Sequence, residues 1–157
     1  MLHLVRKWLL LTVVMLGSTC RIHDLVDGVY TLQLTEVLRD DCAMANAPGV
    51  IGTATLKTNG HNVLLDYSFL QTRLLGTYLS QTEKMTADGT AVNVSTTVGA
   101  RQCLLDTVVV HLDGETQSPT RMNGAMSIQF DTRSPDECVC KFWFKFDATR
   151  TGDAPRE

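Results

Sequence analysis

The sequence predicts an all-β fold, a single antiparallel domain of about eight strands arranged as a barrel or a sandwich. Three observations predict it. Apolar and polar residues alternate with a period of two along most of the chain after residue 27. Asn-Gly and Asp-Gly pairs flank the alternating runs, as they do in tight turns. No segment after the N-terminal residues keeps a helical period of 3.6 residues for three turns.

Eight runs carry the strand pattern, and short connections favour an up-and-down order. The predicted strands span residues 28–38, 49–58, 62–69, 74–82, 92–98, 104–112, 125–131 and 138–146. The predicted turns use Asn59-Gly60 between the second and third strands, Asp88-Gly89 before the fifth, Asp113-Gly114 after the sixth and Asn123-Gly124 before the seventh.

The last predicted strand has the clearest assignment of faces. Two cysteines and three phenylalanines share one side, namely Cys138, Cys140, Phe142, Phe144 and Phe146. Lys141 and Lys145 lie on the other side with Trp143. We therefore expect this strand at the centre of the core, with Trp143 either contacting a partner or packing beside the lysine stems.

The amino terminus has the pattern of an export signal. Arg6 and Lys7 precede an apolar run over residues 8–16, followed by small residues. A helix of nine residues is about 14 Å long, roughly half the thickness of a bilayer core. Residues 1–19 are thus predicted to be a signal-peptide helix that precedes the β domain.

The segment Leu16-Gly17-Ser18-Thr19-Cys20 resembles the lipobox of bacterial lipoproteins. The resemblance implies that Cys20 receives a lipid anchor and becomes the first mature residue. Arg21, in place of the family's inner-membrane retention Asp, implies the outer membrane if the host has one. The alternative is ordinary signal peptidase cleavage near Ser18 to Cys20, which gives a secreted protein.

With lipidation, the predicted domain plan is 1–19 signal peptide, 20–27 lipidated cysteine and short tether, 28–148 β domain and 149–157 disordered tail.

Charge and length exclude several classes of function. The 157 residues suffice for one ordinary domain. Removal of residues 1–19 would leave 12 basic and 17 acidic residues, a net charge of −5. Such a surface does not attract nucleic acid. Membrane attachment is therefore expected through acyl chains such as palmitate and not through a basic face.

The cysteines fit an exported, disulfide-bonded protein. If Cys20 carries lipid, the remaining Cys42, Cys103, Cys138 and Cys140 can all be bridged. Cys138 should not bond Cys140, because residues i and i+2 of a strand lie about 6.6 Å apart, near the upper limit for a disulfide. Cys42 and Cys103 are each expected to bond one of these two, and the sequence leaves the choice open. The Cys138-Val139-Cys140 spacing fits neither a zinc nor a thioredoxin-like site.

No catalytic, cofactor or metal motif stands out. His111 lies near Asp113 and could begin a catalytic dyad, although a surface histidine at a strand end is the simpler explanation. Asp40-Asp41 could hold calcium or form a solvated turn, and Asn93-Val94-Ser95 matches a glycosylation acceptor. We predict no cofactor and no metal.

Two classes of function remain. The first is a lipid-anchored binding or structural protein of the cell envelope, with a small apolar ligand or an envelope protein as its partner. The second is an exported, hydrolase-like enzyme whose site is assembled from loops.

Overall fold

The computed structural model describes residues 24–47, 49–132 and 138–155, which form an eight-stranded antiparallel barrel. The strands are β1 (Gly28–Asp40), β2 (Thr53–Asn59), β3 (Asn62–Tyr67), β4 (Thr72–Leu79), β5 (Lys84–Val98), β6 (Arg101–Ser118), β7 (Arg121–Asp131) and β8 (Cys140–Gly152). Each strand pairs with the next, and β8 returns to β1 to close the barrel. The all-β prediction is confirmed, and a barrel is the architecture observed. The predicted signal-peptide helix and Cys20 lie outside the described residues.

β8 forms the centre of the core, as its alternating sequence predicts. Phe142, Phe144 and Phe146 point inward and are at most 1% exposed. The rings of Phe142 and Phe144 stack with their centroids 4.7 Å apart. Tyr30 and Phe130 are fully buried in the same core. Side chains of this size fill the narrow interior of an eight-stranded barrel, so a ligand site is to be sought at the ends or on the outer wall.

The predicted turns at Asp88-Gly89 and Asp113-Gly114 are wrong. The first pair lies within β5 and the second within β6. A Cβ atom on Gly89 would lie 2.4 Å from the carbonyl oxygen of Arg73. Glycine at this position therefore allows β4 and β5 to approach closely instead of turning the chain.

The two Asn-Gly pairs also differ from each other. Asn59-Gly60 connects β2 to β3, and Gly60 has a φ of +61°, as the predicted turn requires. Asn123-Gly124 lies inside β7 and does not open it. Here a Cβ atom would come within 2.0 Å of the carbonyl oxygen of Asp113 on β6, so the reason is again close strand approach.

The predicted disordered tail, residues 149–157, is wrong for residues 149–152, which continue β8. Thr149 pairs with Thr31 on β1 and with Arg121 on β7. Backbone hydrogen bonds to two neighbouring strands hold this polar segment in place. Its polar composition does not predict this strand pairing.

The two ends of the barrel are built differently. One end carries the β1–β2 connection (41–52), the β3–β4 connection (68–71), the β5–β6 turn (99–100) and residues 138–139 before β8. Both cystines lie there, so we call it the disulfide end. The opposite end, which we call the N-terminal end, carries residues 24–27 and the last residues of the described chain.

Residues 24–27 lie against the barrel, although the sequence predicts a free tether there. Leu25 is buried. Val26 donates its N–H to the carbonyl of Pro119 at 3.0 Å and accepts the Tyr30 hydroxyl at 2.6 Å. The Asp27 carboxylate accepts hydrogen bonds from the N–H and the hydroxyl of Thr58.

Within the described ranges, no helix is long and apolar enough to cross a membrane.

Candidate functional site

A cleft of about 570 Å³ opens at the disulfide end, and we call it the loop cleft. Its lining comes from the β1–β2 connection, the β3–β4 connection and the far end of the β5–β6 hairpin. The lining residues are Ala43, Met44, Asn46, Ala47, Phe69, Thr96, Thr97 and Gly99. Its volume lies within the range of small-molecule sites, which often occupy the mouths of β-barrels.

The first wall of the loop cleft is held from within the fold. The two carboxylate oxygens of Asp40 accept the backbone N–H groups of Met44 and Ala45, at 2.8 and 2.9 Å. The buried hydroxyl of Tyr67 donates to the carbonyl of Val50. Burial raises the pKa of Tyr67, so this phenol stays protonated and keeps its role as a donor.

The second wall is the end of the β5–β6 hairpin, whose turn reaches the first wall. Gly99 has a φ of +60°. A Cβ atom there would lie 2.9 Å from the carbonyl oxygen of Cys42 and 3.5 Å from the side chain of Ala43. Glycine therefore permits the hairpin tip to contact the β1–β2 connection. The loop cleft is bounded by these two walls and by Phe69, which packs edge-on against Phe130 at 6.3 Å.

Backbone strain is concentrated around this cleft. Five non-glycine residues of the described chain have positive φ, and three of them belong to the connections at the disulfide end: Ala43, Leu70 and Gln71. Each such conformation costs on the order of 1 kcal/mol or more and persists only where surrounding contacts impose it. Strained residues of this kind gather at binding sites.

The lining determines which ligands the cleft can accept. Ala43 and Ala47 offer apolar surface, with the buried Met44 and Phe69 behind them, whereas Asn46 and Thr96 offer hydrogen-bonding groups. The lining residues carry no charge. The cleft therefore suits a small, uncharged molecule that is apolar over much of its surface.

The structure places the four predicted bridging cysteines in two pairs, Cys42 with Cys140 and Cys103 with Cys138. The Cα atoms lie 5.4 and 6.0 Å apart, within the usual range for disulfides. This is one of the two pairings that the sequence leaves open. The first bridge ties the β1–β2 connection, and so the cleft wall, to the start of β8.

His111 lies on the outer wall of the barrel and not in the cleft. Its Nδ1 is 2.6 Å from Asp88 and its Nε2 is 3.0 Å from Asp113. A carboxylate oxygen only accepts, so with both contacts made both ring nitrogens donate and the imidazole is cationic. The pKa of His111 is raised first by the Asp88 hydrogen bond, is lowered in part by burial, and is raised further by Asp113.

The remaining residues singled out by the sequence lie apart from the cleft lining. The Asp40 carboxylate binds the loop backbone, while Asp41 pairs with Arg39 on the surface. Among the described residues, no group of three or more His, Cys, Asp or Glu could hold a metal ion. Trp143 is 43% exposed, with the Lys141 ammonium 5.9 Å from its ring. Asn93, the glycosylation candidate, is exposed on β5.

Sequence reasoning missed the cleft itself. Its lining consists of common residue types, and Met44, Phe69 and Thr96 are far apart along the chain. Only the Asp40-Asp41 pair before Cys42 signals the loop from sequence, and the binding of Asp40 to backbone amides is visible only in the three-dimensional structure. Comparisons with protein-family models, curated proteins and solved structures found no match to this chain.

Proposed function

We propose that this chain is an exported, lipid-anchored binding protein of the cell envelope that takes up a small, uncharged ligand in the loop cleft. The observation that carries the proposal is a cleft of ligand size whose wall is fixed by a disulfide, a buried phenol and a carboxylate. Walls fixed before binding lower the ordering cost of association.

The aromatic core supports a site at the barrel end. Phe142, Phe144 and Phe146 occupy the axis that an internal ligand would need. The ligand therefore binds at the mouth, between the β1–β2 connection and the end of the β5–β6 hairpin, and keeps part of its surface in water.

The position of the anchor fits a cleft that faces away from the membrane. Cys20 precedes Leu25, the first buried residue of the described ranges, by five positions, and a stretch this short spans at most about 18 Å. Leu25 lies at the N-terminal end, opposite the loop cleft. The barrel is held close to the bilayer while the cleft opens into the envelope space. Two disulfides support an oxidising, exported location.

Binding is tested with N-phenyl-1-naphthylamine, an uncharged apolar fluorophore, titrated into the purified protein. Thr96→Trp places an indole in the loop cleft, because Thr96 lines it. Thr86→Trp makes the same change on the exposed outer face of the same strand. We expect saturable fluorescence enhancement in the wild type and in Thr86→Trp, and at least a tenfold weaker affinity in Thr96→Trp. Equal affinities in all three proteins contradict the assignment of the site.

The anchor is tested separately with Cys20→Ser. The resemblance of residues 16–20 to a lipobox implies that this variant leaves the membrane fraction. A variant that is processed normally yet stays with membranes in high salt contradicts the anchor and leaves the cleft assignment untouched.

A hydrolase remains the second candidate, on one observation. Ser127 on β7 is in register opposite His111, which is in register opposite Asp88. A carboxylate, an imidazole and a hydroxyl thus share one row of the outer wall. The geometry opposes catalysis, because the Nε2 atom needed to take the serine proton is hydrogen-bonded to Asp113. Ester hydrolysis that is lost in Ser127→Ala would favour this candidate over the binding protein.

A further inference from the structure

One side of the loop cleft is formed by a strand edge. β4 pairs with β5 only along residues 84–88 of β5, whereas β6 pairs with β5 as far as Val98. Among the strands of the described residues, none pairs with residues 94–98 of β5 on the side away from β6. Thr96 and Thr97 of this stretch line the loop cleft. We call the side of residues 94–98 that faces away from β6 the open edge.

The register of the β5–β6 hairpin determines which backbone groups the open edge presents. A two-residue turn, 99–100, joins Val98 to Arg101. The residues that flank such a turn bond each other through their backbones. Antiparallel pairs alternate between bonded and non-bonded, so the next pair, Thr97 with Gln102, has no backbone hydrogen bond across the ladder. The N–H and the C=O of Thr97 therefore both point away from β6.

A hydrogen bond on the far side of β6 supports this register. Leu104 lies opposite Ser95, two positions from Thr97, so the two pairs are of the same type. The Leu104 carbonyl accepts the hydroxyl of Thr132 at 2.9 Å. Thr132 follows β7, which lies on the other side of β6. The Leu104 carbonyl thus points away from β5, as a non-bonded pair requires.

The side chains of the open edge leave the backbone of Thr97 accessible. Thr97 is exposed on the outer face, where its hydroxyl accepts a hydrogen bond from Gln102 Nε2 at 2.9 Å. Thr96 is half-buried on the inner face. Within the described ranges, no other segment makes a backbone hydrogen bond to Thr97 on the open edge. The group that Thr97 offers to the cleft is therefore one backbone donor and one backbone acceptor.

A ligand that satisfies both groups has a definite chemistry. One residue of an extended peptide exchanges its own N–H and C=O with the opposite residue in a bonded antiparallel pair. The cleft lining carries no charge, so the bound segment is uncharged. Its flanking side chains turn to the inner face with Thr96, toward the apolar surface of Ala43 and Ala47.

We propose that the ligand of the loop cleft is a short, uncharged, extended peptide segment that adds a strand to the open edge at Thr97. This inference rests on the proposed function, because it names the chemical class of ligand for the same cleft. Main-chain hydrogen bonds supply affinity in this mode of recognition, and contacts to alternate side chains supply selectivity. The cleft volume of about 570 Å³ suits a segment of about three residues.

The test compares three blocked tripeptides by isothermal titration calorimetry with the wild-type protein. The first, acetyl-Val-Ala-Val-amide, sets its alanine opposite Thr97 and both valines inward. The second is methylated on the alanine nitrogen, which removes the donor to the Thr97 carbonyl. The third, of the same composition as the second, is methylated on the nitrogen of the last valine, which points away from Thr97.

We expect the first and third peptides to bind, and the second to bind at least about tenfold more weakly. Equal affinities of the two methylated peptides, or no binding of the first, overturn the proposal.

Thr97→Pro makes the complementary change on the protein. Proline removes the N–H of residue 97 and is tolerated at an edge where that N–H lies outside the ladder. Thr97→Val, which keeps the backbone and loses the hydroxyl, is the matched control. The affinity for the first peptide is expected to fall at least about tenfold in Thr97→Pro and to persist in Thr97→Val. Thermal melting monitors folding in both variants, and equal affinities in two folded variants contradict the role of the backbone.

N-phenyl-1-naphthylamine separates failure of this inference from failure of the proposed function. Fluorophore binding that Thr96→Trp weakens, without binding of the first peptide, overturns the peptide inference alone. Absence of both fluorophore and peptide binding overturns the proposed function as well. Peptide binding that Thr96→Trp leaves unchanged contradicts the placement of the peptide in the loop cleft.

Discussion

At the scale of single residues, His111 is the group whose charge responds most directly to its neighbours. Its raised pKa follows from hydrogen bonds to Asp88 and Asp113. Because the pKa is raised in the folded chain, the stabilisation is complete below the ordinary histidine pKa of about 6.5 and is lost as pH rises through the folded value. All three side chains are largely exposed, so the effect on stability is small.

Asp88→Asn tests this description. Removal of the carboxylate that contributes most is expected to lower the pKa of His111, as followed by NMR titration of its ring protons. The fall in melting temperature as pH rises above about 6.5 should become shallower. Asp66→Asn breaks an equally exposed pair, with Arg73, away from His111. An unchanged His111 pKa in Asp88→Asn, or an equal change in Asp66→Asn, contradicts the contact.

At the scale of elements, the β1–β2 connection owes its shape to adjacent acidic residues with different roles. Asp40 binds two backbone amides inside the loop, and Asp41 forms a surface pair with Arg39. Hydrogen bonds to a charged group contribute about 1.5–3 kcal/mol each when buried, whereas exposed ion pairs contribute about 0–1 kcal/mol. The sequence shows only two neighbouring carboxylates.

Asp40→Ala removes two such bonds from a half-buried carboxylate and is therefore expected to cost about 3 kcal/mol of unfolding free energy, the lower end of their sum, and to accelerate hydrogen exchange at Met44 and Ala45. It should also weaken fluorophore binding, since Met44 lines the loop cleft. Asp41→Ala is expected to cost less than about 1 kcal/mol and to leave both amides protected. Urea unfolding and exchange mass spectrometry measure both effects, and equal costs for the two variants would refute the division of roles.

At the scale of the whole molecule, the cystines divide the barrel into a braced end and an unbridged end. Cys42–Cys140 closes 98 residues of chain and Cys103–Cys138 closes 35. The chain-entropy model assigns the longer loop about 1 kcal/mol more stabilisation, roughly 4.7 against 3.8 kcal/mol. The first bridge holds the irregular β1–β2 wall of the loop cleft. The second bridge joins the hairpin wall, where Cys103 is in register with Thr96 and strand pairing already fixes the backbone.

Replacing each pair by serines is expected to separate the two contributions. Cys42→Ser/Cys140→Ser should lose more unfolding free energy than Cys103→Ser/Cys138→Ser, by about 1 kcal/mol in denaturant titrations. It should also lose fluorophore affinity to a greater extent. The account of the cleft wall is wrong if binding survives loss of the first bridge and fails with the second.

The sequence predicts this architecture well because the alternation of apolar and polar residues in a strand is a local pattern, which one sequence shows without any alignment. It places Phe142, Phe144 and Phe146 inward, as observed. It fails at Gly89 because a glycine that lets strands approach cannot be distinguished locally from one that turns the chain. The loop cleft escapes prediction for a related reason: its residues meet only through the closure of the barrel.

The measurement that tests the central claim most directly is native mass spectrometry of the protein purified from its own host. We predict that the wild type carries one small, uncharged molecule, with one equivalent per chain, and that Thr96→Trp, which fills the loop cleft, is isolated without it. The Thr86→Trp protein should retain the molecule. A bound molecule that Thr96→Trp retains equally, or a wild type that carries none and hydrolyses esters through Ser127, contradicts a binding protein with its site at the disulfide end.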